Sequence, residues 1–307
     1  MLPRLAIRLV LLPVVLGLVA GCEPPAITPN GVIGIFGGVG LGPGAFSYPR
    51  AITAEPDGSV FVVDKSGRVQ RFGADGALET YWRMPETAQG KPVGLTVHPD
   101  GRIFVADTHY HRVTVFDRDG NQLGSFGREG TGDGELLLPT DVAVDADGFI
   151  YVSEYQGNDR ITKRSSDLTF VDAIGEGLID GKPLRRPAGI DIDDQQTLWI
   201  ADACNHRIVR LSRNGEVLAA FGRFGDGPGE LRYPYDISVS PSGEIMVCEY
   251  EGNRLQWFSR DGRSLRIWGG GGRKPGELFA PWGAAFGPGG NVYVVDSLNS
   301  RVQIIRP

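Results

Sequence analysis

The sequence is poor in the residues that build disulfide scaffolds, zinc sites and nucleic-acid-binding surfaces. Its 307 residues include three cysteines and four histidines. The 37 acidic residues outnumber the 31 lysines and arginines. Three cysteines cannot supply a disulfide framework or a zinc site of four thiolates. A net charge of −6 gives little support for a polyanion-binding surface, so we expect no nucleic-acid partner. Long amphipathic helical patterns are also missing.

Turn-forming residues, by contrast, are abundant. The chain contains 45 glycines and 21 prolines, and both recur periodically. Hydrophobic residues make up 41% of the chain and charged residues 22%, which is typical of a folded soluble protein. The composition therefore indicates many tight turns between short buried segments.

The first 30 residues look like a targeting segment rather than part of a fold. Arg4 and Arg8 precede an apolar stretch over residues 9–19, which is short for a membrane-spanning helix. The run Leu18-Val19-Ala20-Gly21-Cys22 resembles a bacterial lipobox. Leaders of that family are cut before the cysteine, which is then acylated.

This resemblance implies a signal peptide over residues 1–21, a lipidated Cys22 and a short tether over residues 22–30. Several acyl chains would attach the protein durably to a membrane. Glu23 after the cysteine favours the outer membrane. We therefore expect a lipid-anchored protein of the bacterial cell envelope that faces the periplasm. The alternatives are a secreted protein with a chance cysteine and an uncleaved anchor.

A repeat of about 45 residues runs through the rest of the chain, and a period of this size indicates a propeller or a solenoid. A proline marks each repeat, at positions 49, 92, 139, 187, 234 and 281. Fifteen residues after each proline stands an acid, namely Asp64, Asp107, Glu154, Asp202, Glu249 and Asp296. An arginine follows each acid, and the six are Arg68, Arg112, Arg160, Arg207, Arg254 and Arg301. Because this pair recurs in every repeat, we expect it to be structural.

Each repeat is predicted to form four short strands. In the second repeat, β-branched and aromatic runs at 93–97, 103–106, 112–116 and 123–126 are separated by Asp-Gly turns and a polar loop. Stretches such as PVGLTVHPDGRIFVADTHYHRVTVFDRDG and PAGIDIDDQQTLWIADACNHRIVRLSRNG resemble NHL repeats. The expected fold is an all-β, six-bladed propeller of four-stranded antiparallel blades over residues 31–307.

The ends of the chain predict how the ring closes. The sixth repeat stops after its third strand, at residues 301–305, and a fourth-strand sequence occurs instead at residues 31–37. We expect this N-terminal strand to complete the last blade, which would remove an exposed sheet edge.

Candidate ligand-binding residues are those at which the repeats differ. Repeats three and five carry Asp141 and Asp236 at the predicted channel mouth, where other repeats have Gly or Ala. The same two repeats carry Glu154-Tyr155 and Glu249-Tyr250 in the loop between their second and third strands. This paired change suggests that each mouth acid meets its own blade's loop. Asp141, Glu154, Asp236 and Glu249 are then weak candidate ligands for Ca²⁺. Alternatively, they accept hydrogen bonds from loop amides, Asn158 or Asn253, or pair with Arg160 or Arg254.

A second candidate feature is an aromatic funnel. Arg50, Tyr235 and Trp282 each follow a repeat proline, and Tyr155 and Tyr250 belong to nearby loops. Such residues suit a polar organic ligand or a peptide. The alternative is packing of partly exposed rings between blades.

Two function classes follow from these features. The absence of a recognisable catalytic motif favours a non-enzymatic scaffold that recruits a protein or an envelope ligand through its loop face. The other class is a metal-assisted hydrolase, lactonase or lyase at the channel mouth. Similarity to gluconolactonase-like propellers would imply a Ca²⁺ ion bound by Glu, Asn and Asp, although no matching motif is present.

Overall fold

The described part of the protein is a ring of six antiparallel sheets. A computed structural model describes residues 30–307 except 178 and 180, and within these ranges every sheet has four strands. The predicted signal peptide, Cys22 and the tether up to residue 29 lie outside the described residues. No helix in the described ranges is long and apolar enough to cross a bilayer.

Strands succeed one another outward from the channel in each of the first three blades. Blade one contains β2 (Pro49–Ala54), β3 (Val60–Asp64), β4 (Arg68–Phe72) and β5 (Leu78–Arg83). Blade two contains β6 (Gly94–Val97), β7 (Ile103–Asp107), β8 (Arg112–Phe116) and β9 (Gln122–Phe126). Blade three contains β10 (Pro139–Val144), β11 (Ile150–Glu154), β12 (Ile161–Arg164) and β13 (Phe170–Ile174).

The other half of the ring repeats this order. Blade four contains β14 (Pro187–Ile192), β15 (Leu198–Asp202), β16 (Arg207–Leu211) and β17 (Val217–Phe221). Blade five contains β18 (Pro234–Val239), β19 (Ile245–Glu249), β20 (Arg254–Phe258) and β21 (Ser264–Gly269). Blade six contains β22 (Gly283–Phe286), β23 (Val292–Asp296), β24 (Arg301–Ile305) and, as its outer strand, β1 (Val32–Gly37).

The burial pattern explains why the predicted strands of blade two agree with the observed ones to within a residue at each end. Second strands such as β3 are buried at every position, because both faces pack against neighbouring blades. The outer strand β5 alternates between half-buried and exposed positions, since one side faces solvent. Continuous apolar runs and alternating runs are both recognisable in sequence.

The core lies between the blades rather than at the ring's centre. A typical cluster joins Trp199 and Ile208 of blade four to Ile237, Val247 and Phe258 of blade five. Burial of this apolar surface therefore holds neighbouring blades together and fixes the positions of the channel strands.

The predicted closure is confirmed. Strand β1 pairs antiparallel with β24, with Phe36 opposite Val302 and Ile35 opposite Gln303. The last blade is therefore built from both ends of the propeller sequence.

Candidate active site at the channel mouth

A cavity of about 320 Å³ occupies the channel, and the innermost strands of all six blades line it. Its lining includes Arg50, Asp141, Tyr235, Asp236 and Trp282, which are five of the predicted site residues. The structure thus brings residues from blades one, three, five and six to one cavity.

Aromatic side chains form a wall on one side of the mouth. The rings of Tyr235 and Tyr250 stack with centroids 4.5 Å apart, and Trp282 lies edge-on to them at 5.0 and 5.4 Å. Tyr48, which the sequence interpretation missed, approaches Trp282 at 5.6 Å and shares a 3.2 Å hydroxyl–hydroxyl hydrogen bond with Tyr250. The structure therefore brings Tyr235, Tyr250 and Trp282 together, with Tyr48 beside them.

Two guanidinium groups contact these rings. The Cζ of Arg50 lies 5.0 Å from the centroid of the Trp282 ring. The Cζ of Arg186 lies 4.9 Å from the ring of Tyr235 and 5.2 Å from that of Tyr155. Within the described residues, neither arginine forms an ion pair with a carboxylate. Burial lowers the pKa of Arg50, and the nearby tyrosines oppose this effect.

The backbone that presents Tyr48 and Arg186 is strained. Each precedes a repeat proline and has a positive φ, 55° for Tyr48 and 57° for Arg186. Residues before proline seldom adopt such a conformation, and side chains with a Cβ disfavour it. At Arg186 a hydrogen bond compensates, because Asp159 accepts the backbone N–H at 2.7 Å. At the start of blades three and five, Nδ1 of His111 and Nδ1 of His206 accept the equivalent backbone N–H. The repeat histidines therefore have a structural role.

Three aspartates lie in the channel, and each accepts a backbone N–H from the next blade. Oδ2 of Asp141 accepts from Ile190 at 3.0 Å, and Oδ2 of Asp236 accepts from Ala284 at 2.8 Å. Asp191, also missed, accepts from Val239 at 2.7 Å. These carboxylates satisfy amides on the exposed edges of inner strands. The expectation that each mouth acid meets its own blade's loop is therefore wrong.

The pKa values of these three carboxylates are raised. Burial raises the pKa of Asp236 to about 7 and that of Asp191 to about 6, while the amide donors lower both. The pKa of Asp141 is raised well above its usual value by burial and then by the charge of Asp236. An acid with a pKa near neutrality can accept or donate a proton under physiological conditions.

Glu154 and Glu249 belong to a different set of contacts. Each is fully buried and pairs with its repeat arginine, Glu154 with Arg160 at 3.4 Å and Glu249 with Arg254 at 2.6 Å. The equivalent acids of the other four blades form the same ion pair. The structure therefore does not bring these two glutamates together with the channel aspartates.

This arrangement bears on the predicted calcium site. Among residues 30–177, 179 and 181–307, no three His, Cys, Asp or Glu side chains are grouped closely enough to hold an ion. The four weak candidates Asp141, Glu154, Asp236 and Glu249 are divided between backbone amides and arginines. Although carboxylates are suitable calcium ligands, these four side chains do not together form a calcium centre.

Comparison with known proteins identifies the class and then the family. The blades and an NHL-repeat match over residues 280–305 define an NHL-type six-bladed propeller. The family model described as "SMP-30/Gluconolactonase/LRE-like region" matches residues 49–276, well over half of the chain. The chain belongs to this SMP-30/gluconolactonase/LRE-like family.

Solved structures of similar fold include enzymes. A gluconolactonase from Xanthomonas campestris is 17% identical with a TM-score of 0.66, over 94% of this chain and 96% of that one. A streptogramin B lyase is 17% identical with a TM-score of 0.65, over 88% and 96%. Virginiamycin B lyase from Staphylococcus aureus is 16% identical with a TM-score of 0.60, over 87% and 82%. At such identities the likeness shows the fold alone.

A curated relative shares part of the sequence. The protein brain tumor of Drosophila melanogaster is 28% identical over 153 residues, which is 50% of this chain. The match spans only 14% of that protein's length.

The family corrects the expected function. A non-enzymatic scaffold was expected because no catalytic motif is recognisable, and the match to the SMP-30/gluconolactonase/LRE-like family contradicts that expectation. The reason is that the mouth is assembled from different blades, so its residues never form a contiguous motif.

Proposed function

We propose that this protein is an enzyme that opens a lactone, by hydrolysis or by elimination, at the mouth of its channel. The observation that carries the proposal is the family match over residues 49–276, which contains Arg50, Asp141, Arg186 and Asp236. Lactonases and lyases among the structural neighbours support the same reaction class.

The geometry suggests how the reaction would be assisted. Gly283 lies between the carboxylate of Asp236 and the backbone of Arg50, since a Cβ built on it would lie 3.1 Å from Oδ2 of Asp236 and 3.3 Å from the carbonyl oxygen of Arg50. A lactone carbonyl near Arg50 would place its developing oxyanion beside an unpaired guanidinium, which stabilises that charge. Asp236 would then serve as general base for water or for a proton of the substrate.

Hydrogen bonds prepare Asp236 for this role. Its two oxygens accept the N–H groups of Ile237 at 2.9 Å and Ala284 at 2.8 Å, which fixes the carboxylate in the channel. Each oxygen keeps a second lone pair for a proton. Because burial raises the pKa of this group to about 7, its ionised form and its protonated form both exist near neutral pH.

The test is turnover of a lactone panel that includes glucono-1,5-lactone and dihydrocoumarin, followed by acid release at constant pH. Asp236→Asn should lower kcat/KM roughly 100-fold or more, because the general base is lost. Asp261→Asn, at an exposed turn, is the matched control and should leave turnover unchanged. The wild-type profile should rise through about pH 7, and this rise should disappear in Asp236→Asn.

Two outcomes would contradict the proposal. In the first, the wild type opens no lactone of the panel; in the second, Asp236→Asn is as active as the wild type. Product mass distinguishes the two reaction types, because hydrolysis adds one water and elimination adds none. Titration with Ca²⁺ and with a chelator examines metal assistance separately.

The N-terminal sequence supports a proposed location for this activity. The lipobox-like run before Cys22 would anchor the enzyme to the bacterial envelope, at the outer membrane and facing the periplasm. Incorporation of labelled palmitate in wild type but not in Cys22→Ala would support the anchor, and equal labelling would contradict it.

A further inference from the structure

Two arginines at the channel mouth differ from the repeat arginines of the described ranges. The six repeat arginines each pair with a buried acid at 2.6–3.4 Å. Arg50 and Arg186 have no such partner in the described ranges, and the buried Nε of Arg50 lacks any hydrogen-bond acceptor. Even Asp159, beside Arg186, accepts that residue's backbone N–H rather than its guanidinium. Leaving a buried donor unsatisfied is unfavourable. Five further arginines of the described ranges carry such an atom, and of the six only Arg50 lines the cavity, where a ligand would supply the acceptor.

We infer that the mouth binds an organic ligand carrying a carboxylate, held by Arg50 and Arg186 beside the rings of Tyr235 and Trp282. This deepens the proposed function, on which it rests, because it assigns the substrate to the class of anionic lactones.

The positions of the two arginines suit such a ligand. Arg50 contacts the ring of Trp282, Arg186 contacts the ring of Tyr235, and these two rings are 5.0 Å apart. The guanidiniums therefore lie beside two rings that contact each other, with planes 64° apart. A guanidinium held by a ring keeps its N–H donors available for a carboxylate, which it can bind in bidentate fashion.

An anion fits this surface better than a cation does. Aromatic rings alone attract cations, but the guanidinium groups of Arg50 and Arg186 already take the cation positions over these rings. The channel aspartates accept amide N–H groups and lie among the inner strands, so they do not neutralise the two arginines. Arg50 and Arg186 therefore place two positive charges in the cavity lining of a chain whose net charge is −6.

This placement also orients the substrate. An anionic group held by the arginines would keep away from Asp141, Asp191 and Asp236, because like charges repel. The uncharged lactone carbonyl would then point toward the channel, where Asp236 is available. Binding and chemistry are thereby assigned to opposite ends of one ligand.

The test is calorimetric titration with 2-naphthoate and with the neutral 2-naphthalenemethanol as probes. We expect 2-naphthoate to bind more tightly, and its affinity to fall with added salt. Arg50→Gln and Arg186→Gln should each weaken 2-naphthoate binding roughly tenfold, the usual effect of losing a charged hydrogen bond. Arg128→Gln is the matched control, because Arg128 is 81% exposed and remote from the cavity lining.

Arg50→Lys keeps the charge without the planar fork, and an intermediate affinity would support bidentate binding. Quenching of tryptophan fluorescence by 2-naphthoate is measured on the wild type, so this readout does not depend on whether a variant folds. Equal affinity for the two probes, or unchanged 2-naphthoate binding in both glutamine variants, would overturn the inference.

These binding measurements need no turnover, so the two proposals fail separately. A protein that binds 2-naphthoate but opens no lactone would overturn the proposed reaction and leave the anion site standing. A protein that opens neutral lactones and ignores 2-naphthoate would overturn the anion site alone.

Discussion

At the scale of single residues, the channel is organised by an alternation of aspartate and glycine. Asp141 and Asp236 each approach the inner strands of the flanking blades, where Gly94, Gly189 and Gly283 leave the necessary space. A Cβ built on Gly189 would lie 2.6 Å from the Cα of Asp236 and 2.8 Å from its Oδ1. The glycines in blades two, four and six are therefore the counterpart of the aspartates in blades three and five, while blade one has Ala51 at this position.

This contact leads to a stability prediction. Gly189→Ala should destabilise the protein by about 1–3 kcal/mol, because its methyl group would overlap backbone that cannot easily move. Chemical denaturation measures the change. Gly124→Ala is the control, since a Cβ there meets nothing within 4 Å. Equal stability of the two variants would mean that the close approach is relieved without cost.

The aromatic funnel was predictable because it follows a rule of position. Arg50, Tyr235 and Trp282 each follow a repeat proline, so aligning the repeats places them at the mouth. Tyr48 and Arg186 were missed because they precede the proline, where positive φ is not expected.

The roles of the acids were harder to predict. Repeat alignment shows which acids differ between blades, but not that Asp141 reaches the next blade or that Glu154 turns toward Arg160. Both choices depend on the spacing between blades, which arises from packing and not from local sequence.

At the scale of strands and loops, the repeat acid–arginine pair ties each blade to the connector that precedes it. In blade four, Asp202 accepts Nε of Arg207 at 2.6 Å and the backbone N–H of Arg185 at 2.7 Å. The same guanidinium donates to the carbonyl oxygens of Ile179 at 2.7 Å and Lys182 at 3.1 Å. One buried pair thus fixes a strand end and an irregular loop together.

Removing one member of that pair should therefore be costly. We expect Arg207→Met to destabilise the protein by about 3–5 kcal/mol, because Asp202 would remain buried without its countercharge. Thermal and denaturant unfolding measure this change. Arg223→Met makes the same substitution in an ion pair whose arginine is 80% exposed, and it should leave the melting temperature nearly unchanged. Similar losses in both variants would contradict a special role for the buried pair.

At the scale of the whole molecule, the repeat and the closing strand were predictable because both depend on periodicity. Strand β24 has the predicted bounds, and β1 begins one residue after the predicted start. Function at this scale was not predictable, since related propeller rings serve many purposes and the distinguishing residues come from several blades.

Closure supplies the prediction at this scale. Deleting residues 31–37 should lower the unfolding temperature of the entire ring, because β24 would lose its antiparallel partner and expose an edge. Calorimetry is the measurement. Ile35→Ala, at a 43% exposed position of the same strand, is the control and should change little. An unchanged transition in the deletion variant would show that the ring is stable without this strand.

The pairing of β1 with β24 also constrains the order of biosynthesis. Val32 lies opposite Ile305, so one of the first propeller residues to leave the ribosome pairs with one of the last propeller residues. Earlier blades can assemble beforehand, but a nascent chain cannot close the ring until β24 has left the ribosome. Because β24 pairs with β1 on one side and with β23 on the other, closure depends on this strand joining the two ends of the propeller.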